Sequence, residues 1–258
     1  MKWSRLEQPL STGAIVLLLI VAWEGGVVWL DIPPYLVPSL SETVKTAIAE
    51  ADEVLIPASL ITLNEALWGL AAATVVGVTL GMLAAESKTL ERAFMPYIVA
   101  SQAVPMLAIA PLLIIWFGFG LAPKVIATAL ICFFPIVMNT FAGMRSMERD
   151  IGYLMTSLQA TRAQVILKIQ IPAAVPFIFA GFKNAVVFAV IGALVAEWVG
   201  ATGGLGPVII RALGSFETPL VFAAILYIVA MSIGLFVMTT LVERAVIRWL
   251  YGATSQSA

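Results

Sequence analysis

The chain has 258 residues, of which 61% are apolar and 11% charged, and its mean hydropathy is +1.03. Soluble domains are about half apolar and about a quarter charged, so this composition excludes a water-soluble fold and predicts an all-α integral membrane protein. The net charge of −1 without a basic run excludes a nucleic-acid partner. With no histidine and one cysteine, Cys132, the sequence gives no basis for a catalytic site, a metal site or a cofactor.

Apolar segments long enough to cross a bilayer core of about 30 Å recur along the chain. Six are predicted to span the membrane: residues 13–30, 58–85, 94–117, 125–144, 174–199 and 220–242. The first is expected to be a retained helix. The third contains Pro96, Pro105 and Pro111, so a kinked helix is predicted there. A short surface helix is predicted in the connection before the second span, starting near Ser39 or Ser41.

The lysines and arginines are distributed unevenly between the predicted loops. With a cytoplasmic N-terminus, three lie outside, at Lys45, Lys124 and Arg211. The remaining eleven of the 14 are assigned to the cytoplasmic side: Lys2, Arg5, Lys88, Arg92, Arg145, Arg149, Arg162, Lys168, Lys183, Arg244 and Arg248. Because positive residues concentrate in cytoplasmic loops, both termini are predicted to be cytoplasmic.

Residues 144–173 form the longest predicted cytoplasmic segment. Apolar side chains recur along it at helical spacing, at Leu154, Leu158, Val165 and Ile169, with positive charges between them at Arg149, Arg162 and Lys168. This pattern predicts a helical element with one packing face. By itself it leaves two interpretations open, namely a docking surface for another protein and an amphipathic loop resting on the bilayer.

The sequence TSLQATRAQVILKIQIPAAVPFIFAGFK, residues 156–183, resembles the cytoplasmic signature of binding-protein-dependent ABC importer permeases. That signature is a helix-turn-helix reading EAA, three residues, Gly, nine residues, then I-x-L-P. Ile169, Ile171 and Pro172 match its second half at the same distance.

The first half of the signature departs from the family pattern. Tyr153, Leu154 and Met155 stand in place of EAA, and Gln159 stands in place of the glycine. Glycine at that position allows a tight turn with positive φ, which costs another residue about 1–2 kcal/mol. Either the turn is remodelled, or the pairing with the ATPase is unusual.

Similarity to these permeases runs from about Trp23 to Arg248. The sequences WEGG and IPPYLVPSLSETVKTAI resemble the nitrate, sulfonate and taurine branch, as does the exit motif AEWVGATGGLGPVI. The sequences TLNEALWGL, SQAVPMLAIAPLLIIWFGFG and ICFFPIVMNTFAGMRS are closer to permeases for thiamine-precursor pyrimidines and riboflavin.

The resemblance implies one permease domain, residues 1–258, with about six transmembrane helices and a cytoplasmic coupling helix pair, as in type I ABC importers. It implies a homodimer in a bacterial inner (plasma) membrane, with two ATP-binding subunits and an extracytoplasmic substrate-binding protein. A small polar solute, such as a vitamin precursor, a sulfonate or nitrate, would cross by alternating access. ATP hydrolysis would belong to the partner subunit.

Candidate functional residues fall into three groups. The resemblance assigns the ATPase-docking role to residues 144–173, with Tyr153, Leu154, Leu158, Gln159, Arg162, Ile169 and Pro172 as contacts. Polar residues within spans could line the path or bond helix to helix, and these are Glu65, Gln102, Asn139 and Asn184. An outer gate is placed at Glu197, Gly204 and Gly206, with Glu197 expected to be solvated and the glycines expected to form a flexible turn.

Two other classes of function are considered. An ion-coupled secondary transporter needs paired ionisable groups within the membrane, and the sequence shows no such pair. A membrane-embedded enzyme is disfavoured because there is no histidine and no cluster of carboxylates.

Overall fold

The computed structural model describes residues 4–146, 151, 155 and 157–252, and the regular secondary structure of these ranges is helical. The α-helices are α1 (Ser4–Trp29), α2 (Leu40–Ala49), α3 (Ile56–Glu86), α4 (Lys88–Ser101), α5 (Met106–Phe117), α6 (Leu121–Met144), α7 (Arg162–Val165), α8 (Ile171–Glu197), α9 (Leu205–Gly214) and α10 (Thr218–Gly252). A π-helical turn, Ala51–Leu55, leads into α3, and another, Ile166–Gln170, joins α7 to α8.

Four helical segments in the described residues are long and apolar enough to cross a membrane: Ala51–Glu86, Leu121–Met144, Arg162–Glu197 and Thr218–Leu250. Helices α4 and α5 make a fifth if the two together count as one span. The apolar part of α1, Gly13–Trp29, is shorter. The chain is therefore an all-helical membrane protein with four or five candidate spans among the six predicted.

The third predicted span is broken rather than kinked. Helices α4 and α5 meet at an angle of 103° across a break at residues 102–105. Pro105 is extended there, with φ −73° and ψ 105°, and directly precedes α5. It donates no backbone hydrogen bond and disfavours helical geometry in the residue before it. Pro96 and Pro111 are both accommodated inside helices.

The core of the bundle lies where α3, α6 and α8 pack together. Gly77 and Gly81 of α3 face Ile136 and Thr140 of α6, and an added Cβ would lie 2.9 Å and 2.8 Å from those side chains. Close approach of two backbones at small residues is a usual way to join helices in membranes. This G-x-x-x-G pair therefore packs within the chain.

The short surface helix is confirmed as α2. The Ser39 side chain caps it by accepting a hydrogen bond from the Glu42 backbone N–H. Glu24 of α1 accepts hydrogen bonds from the Ser41 backbone N–H at 3.1 Å and from the Ser41 hydroxyl at 2.6 Å. Glu24 thereby joins α1 to the first turn of α2.

Candidate translocation site

A cavity of about 630 Å³ lies beside the break between α4 and α5, where α6, α8 and α10 also border it. Three of the four predicted path residues line it, namely Gln102 at the break, Asn139 on α6 and Asn184 on α8. Glu65 does not. Asn184 lies midway along α8 and Gln102 lies at the break between α4 and α5, so the cavity is at mid-membrane depth.

The three side-chain amides differ in whether the protein supplies them with hydrogen-bond partners. The Asn139 Nδ2 donates a hydrogen bond to the Pro135 carbonyl at 2.8 Å. Gln102 and Asn184 are exposed, and their side-chain amides have no hydrogen-bond partner among the described residues. Polar groups at membrane depth need a partner or a water-filled space. These two amides are therefore available to water or to a solute in the cavity.

One charged side chain lining the cavity was assigned wrongly from the sequence. Lys183, counted among the cytoplasmic charges, lies well inside α8. Its Nζ donates to both carboxyl oxygens of Glu243 on α10, at 2.8 Å and 3.1 Å. A lysine nine residues into a predicted span was a usable signal for a buried ion pair, although the sequence alone does not identify the partner.

A second buried polar cluster lies at the predicted external end of the bundle. Glu65 of α3 is 3% exposed and pairs with Lys124 of α6, with Nζ 2.5 Å from Oε1. Glu197 of α8 lies beside this pair, because its carboxyl group bonds Thr62, three residues before Glu65 on α3. The expectation that intramembrane ionisable groups are unpaired is therefore wrong, since three helices bring these groups together.

Glu197 is 1% exposed, so the prediction of a solvated position is also wrong. Its Oε1 accepts a hydrogen bond from the Thr62 hydroxyl at 2.6 Å, and its Oε2 accepts one from the Gly206 backbone N–H at 2.6 Å. Thr62 Oγ1 in turn accepts from the Leu205 backbone N–H at 2.9 Å. We call Thr62, Glu197, Leu205 and Gly206 the outer latch, because they join α3, α8 and α9.

Steric crowding explains why glycines stand at positions 204 and 206, beside the outer latch. Gly204 has φ +108° and ψ 174°, a region open essentially to glycine alone. A Cβ there would overlap the Glu197 carboxyl group, and one at Gly206 would lie 2.7 Å from Glu197 Cβ. The expected flexible turn is instead the tightly packed first turn of α9, in which the free N–H groups of the helix end face a carboxyl group.

The predicted docking element, residues 144–173, is described only in part. Tyr153 and Leu154 lie outside the described residues. Leu158 is 65% exposed. Gln159 has φ +52°, so the turn keeps the positive φ of the family glycine and is not remodelled. Arg162 pairs with Glu86 at the end of α3, with Nη2 2.5 Å from Oε2.

The second half of the signature forms the entry into α8. Thr161 and Gln164 make a reciprocal capping box at the start of α7. Ile169 lies half-buried in the π-helical turn, and Pro172 lies in the first turn of α8, where a missing N–H is tolerated. The second half of the signature therefore lies where the π-helical turn passes into α8.

Broken helices whose ends open on a cavity at mid-membrane depth characterise transporters. Residues 77–248 match the family described as binding-protein-dependent transport system inner membrane component. The chain belongs to this family, as the resemblance predicted. It is thus a multi-pass inner-membrane permease subunit of an ABC importer, and ATP hydrolysis lies in a partner subunit.

Relatives with assigned roles match over nearly the whole chain. A riboflavin transport system permease of Chloroflexus aurantiacus is 36% identical over 249 residues, which is 96% of this chain and 91% of that one. A formylaminopyrimidine transport permease of Halalkalibacterium halodurans is 35% identical, covering 95% and 98%. The taurine transport system permease of Escherichia coli is 30% identical, covering 87% and 84%.

Among solved structures, the chain is similar to the methionine ABC transporter MetNI in an inward-facing conformation. The TM-score is 0.66 at 16% identity, and the match covers 74% of this chain and 95% of the other. At that identity the similarity establishes a shared fold.

Proposed function

We propose that two copies of this chain form the path by which a small polar solute is imported through alternating access. The observation that carries the proposal is the cavity at the break between α4 and α5. Gln102 at the break and Asn184 on α8 line it with amides that have no hydrogen-bond partner in the part of the chain that the structure describes. A polar solute could exchange hydrogen bonds with water for hydrogen bonds with these amides at mid-membrane depth.

Residues 144–173 are the proposed docking site for two ATP-binding subunits. Support comes from the exposed Leu158 beside the turn at Gln159, and from the ion pair of Arg162 with Glu86. Through that pair, movement of the docked subunit would reach the end of α3. The exposed Arg162 guanidinium could also hold a partner carboxylate in a bidentate contact.

The outer latch is the proposed outer gate. Its hydrogen bonds hold α9 against α3 and α8, and opening toward the external binding protein would require them to separate. The orientation follows the distribution of charged loops, with both termini in the bacterial cytoplasm and α1 as a further span. The proposed solute belongs to the range for which the relatives are named, which includes riboflavin, a pyrimidine and taurine.

Energy dependence in liposomes tests this function. The purified chain alone should neither hydrolyse ATP nor accumulate solute under an imposed proton or sodium gradient. Uptake should require ATP, the ATP-binding subunit and the external binding protein together. The buried ion pairs Glu65–Lys124 and Lys183–Glu243 favour ion coupling, so gradient-driven accumulation by the lone chain would replace the proposal with a secondary transporter.

A further inference from the structure

The chemistry of the cavity at the helix break narrows the class of solute. We infer that this site takes an uncharged, planar heteroaromatic solute with adjacent hydrogen-bond donors and acceptors, and that it rejects organic anions. The inference rests on the proposed function and selects within the range of solutes that the relatives' names cover, which extends from ring compounds to a sulfonate.

Charge is the first reason. Lys183 is the only charged residue lining the cavity in the described part of the chain. Both carboxyl oxygens of Glu243 already accept hydrogen bonds from its Nζ. The pair is largely shielded, with the two side chains 25% and 14% exposed. An anion at this depth would need a cation that is not already paired, and Lys183 is paired with Glu243.

The available hydrogen-bonding groups are the second reason. Gln102 and Asn184 each offer one acceptor oxygen and two N–H donors. Among the described residues, Asn139 bonds only through its Nδ2, to the Pro135 carbonyl, and its Oδ1 has no partner. Amide groups of this kind match the alternating donors and acceptors on the edge of a pyrimidine or a fused-ring dione. A sulfonate presents acceptors alone and would leave each amide oxygen unpaired.

The apolar walls are the third reason. Three phenylalanines line the cavity from three different helices, Phe134 from α6, Phe188 from α8 and Phe236 from α10. Phe188 and Phe236 both line the cavity and are 43% and 41% exposed. Aromatic faces and edges attract a planar ring in stacked or edge-to-face contact. A volume of about 630 Å³ is typical of small-molecule sites.

Ligand-observed saturation-transfer NMR on the purified full-length chain in detergent tests the inference. Riboflavin and cytosine serve as uncharged heterocycles, and ethanesulfonate serves as the organic anion. At least one heterocycle should bind saturably, and ethanesulfonate should not compete. Asn184→Leu should weaken heterocycle binding about tenfold, as expected for the loss of one hydrogen bond. Asn64→Leu, at an exposed amide of α3 away from the cavity, is the matched control.

A charge variant tests the exclusion of anions. Glu243→Gln leaves Lys183 without its carboxylate partner, so the protein should begin to bind ethanesulfonate. That binding should be lost again in the double variant Glu243→Gln, Lys183→Met. If Glu243→Gln gains no anion binding, pairing is not what excludes anions and that part of the inference fails. Saturable ethanesulfonate binding to the unaltered chain, absence of binding by both heterocycles, or equal effects of Asn184→Leu and Asn64→Leu would overturn the inference.

Failure of the inference can be told apart from failure of the proposed function. Import of an anion that requires ATP and the partner proteins would overturn the solute class and leave the function intact. Heterocycle binding without ATP-driven uptake would overturn the proposed function and leave the solute class intact.

Discussion

Replacement of Thr62 by valine tests the outer latch directly. The Thr62 side chain is fully buried, and its hydroxyl bridges the Glu197 carboxyl group and the Leu205 backbone N–H. Valine has nearly the same shape but no hydroxyl, so Thr62→Val leaves two buried polar groups without this partner. Each unsatisfied group costs about 1–3 kcal/mol, so the free energy of unfolding should fall by about 2–6 kcal/mol.

The matched control is Thr62→Ser, which keeps the hydroxyl and loses one methyl group, at about 1 kcal/mol. The chain provides its own reporter, since its single cysteine, Cys132, is fully buried in the core. A fluorogenic maleimide should react with Cys132 only as the detergent-solubilised protein unfolds on heating. Thr62→Val should unfold at a clearly lower temperature than Thr62→Ser. Equal unfolding temperatures for the two variants would refute the argument that the hydroxyl holds the latch together.

Three further predictions concern the docking element and the topology. Arg162→Glu should abolish uptake and reduce co-purification of the ATP-binding subunit, because it removes a docking cation and places a second carboxylate beside Glu86. Unchanged transport would contradict this prediction. If adding Glu86→Arg restores uptake, the internal ion pair matters more than the contact with the partner. Gln159→Gly should stabilise its turn by about 1 kcal/mol, because the relief of positive-φ strain exceeds the cost of the greater freedom that glycine has in the unfolded chain. Slower backbone hydrogen exchange in the turn would show this, and faster exchange would contradict it. A cysteine at Ser87 should react with an impermeant maleimide only from the cytoplasm and one at Asp52 only from outside, and the opposite pattern would invert the topology.

Composition and periodicity predicted the helices because they report local physics. The apolar run in α3 and the Ser39 cap of α2 are read directly from neighbouring residues. The break at Pro105 was predicted only as a kink. A proline marks where a helix is weak, but the bend angle depends on what packs around it. The cavity beside the break is therefore a tertiary property that the prolines indicate without defining.

The buried ion pairs could not be predicted from the sequence because their partners are far apart along the chain. Lys183 pairs with a residue 60 positions away, and Lys124 with one 59 positions away. Hydropathy places each charge at a depth but says nothing about the rotation of its helix. For the same reason Glu197, near a helix end, was assigned to solvent, although α9 folds back over it.

One helical segment connects the three proposed functional regions. Arg162–Glu197 contains 36 helical residues, which corresponds to a length of about 54 Å. Arg162 lies in the docking element at its start, Lys183 and Asn184 line the cavity near its middle, and Glu197 carries the outer latch at its end. A packed helix transmits displacement along its axis better than a chain of loops, because its backbone hydrogen bonds resist local bending. The segment is interrupted only by the π-helical turn Ile166–Gln170, directly beside the docking element. Tilting of the segment by a docked subunit would therefore move the cavity wall and strain the latch together, which is the coupling that alternating access requires.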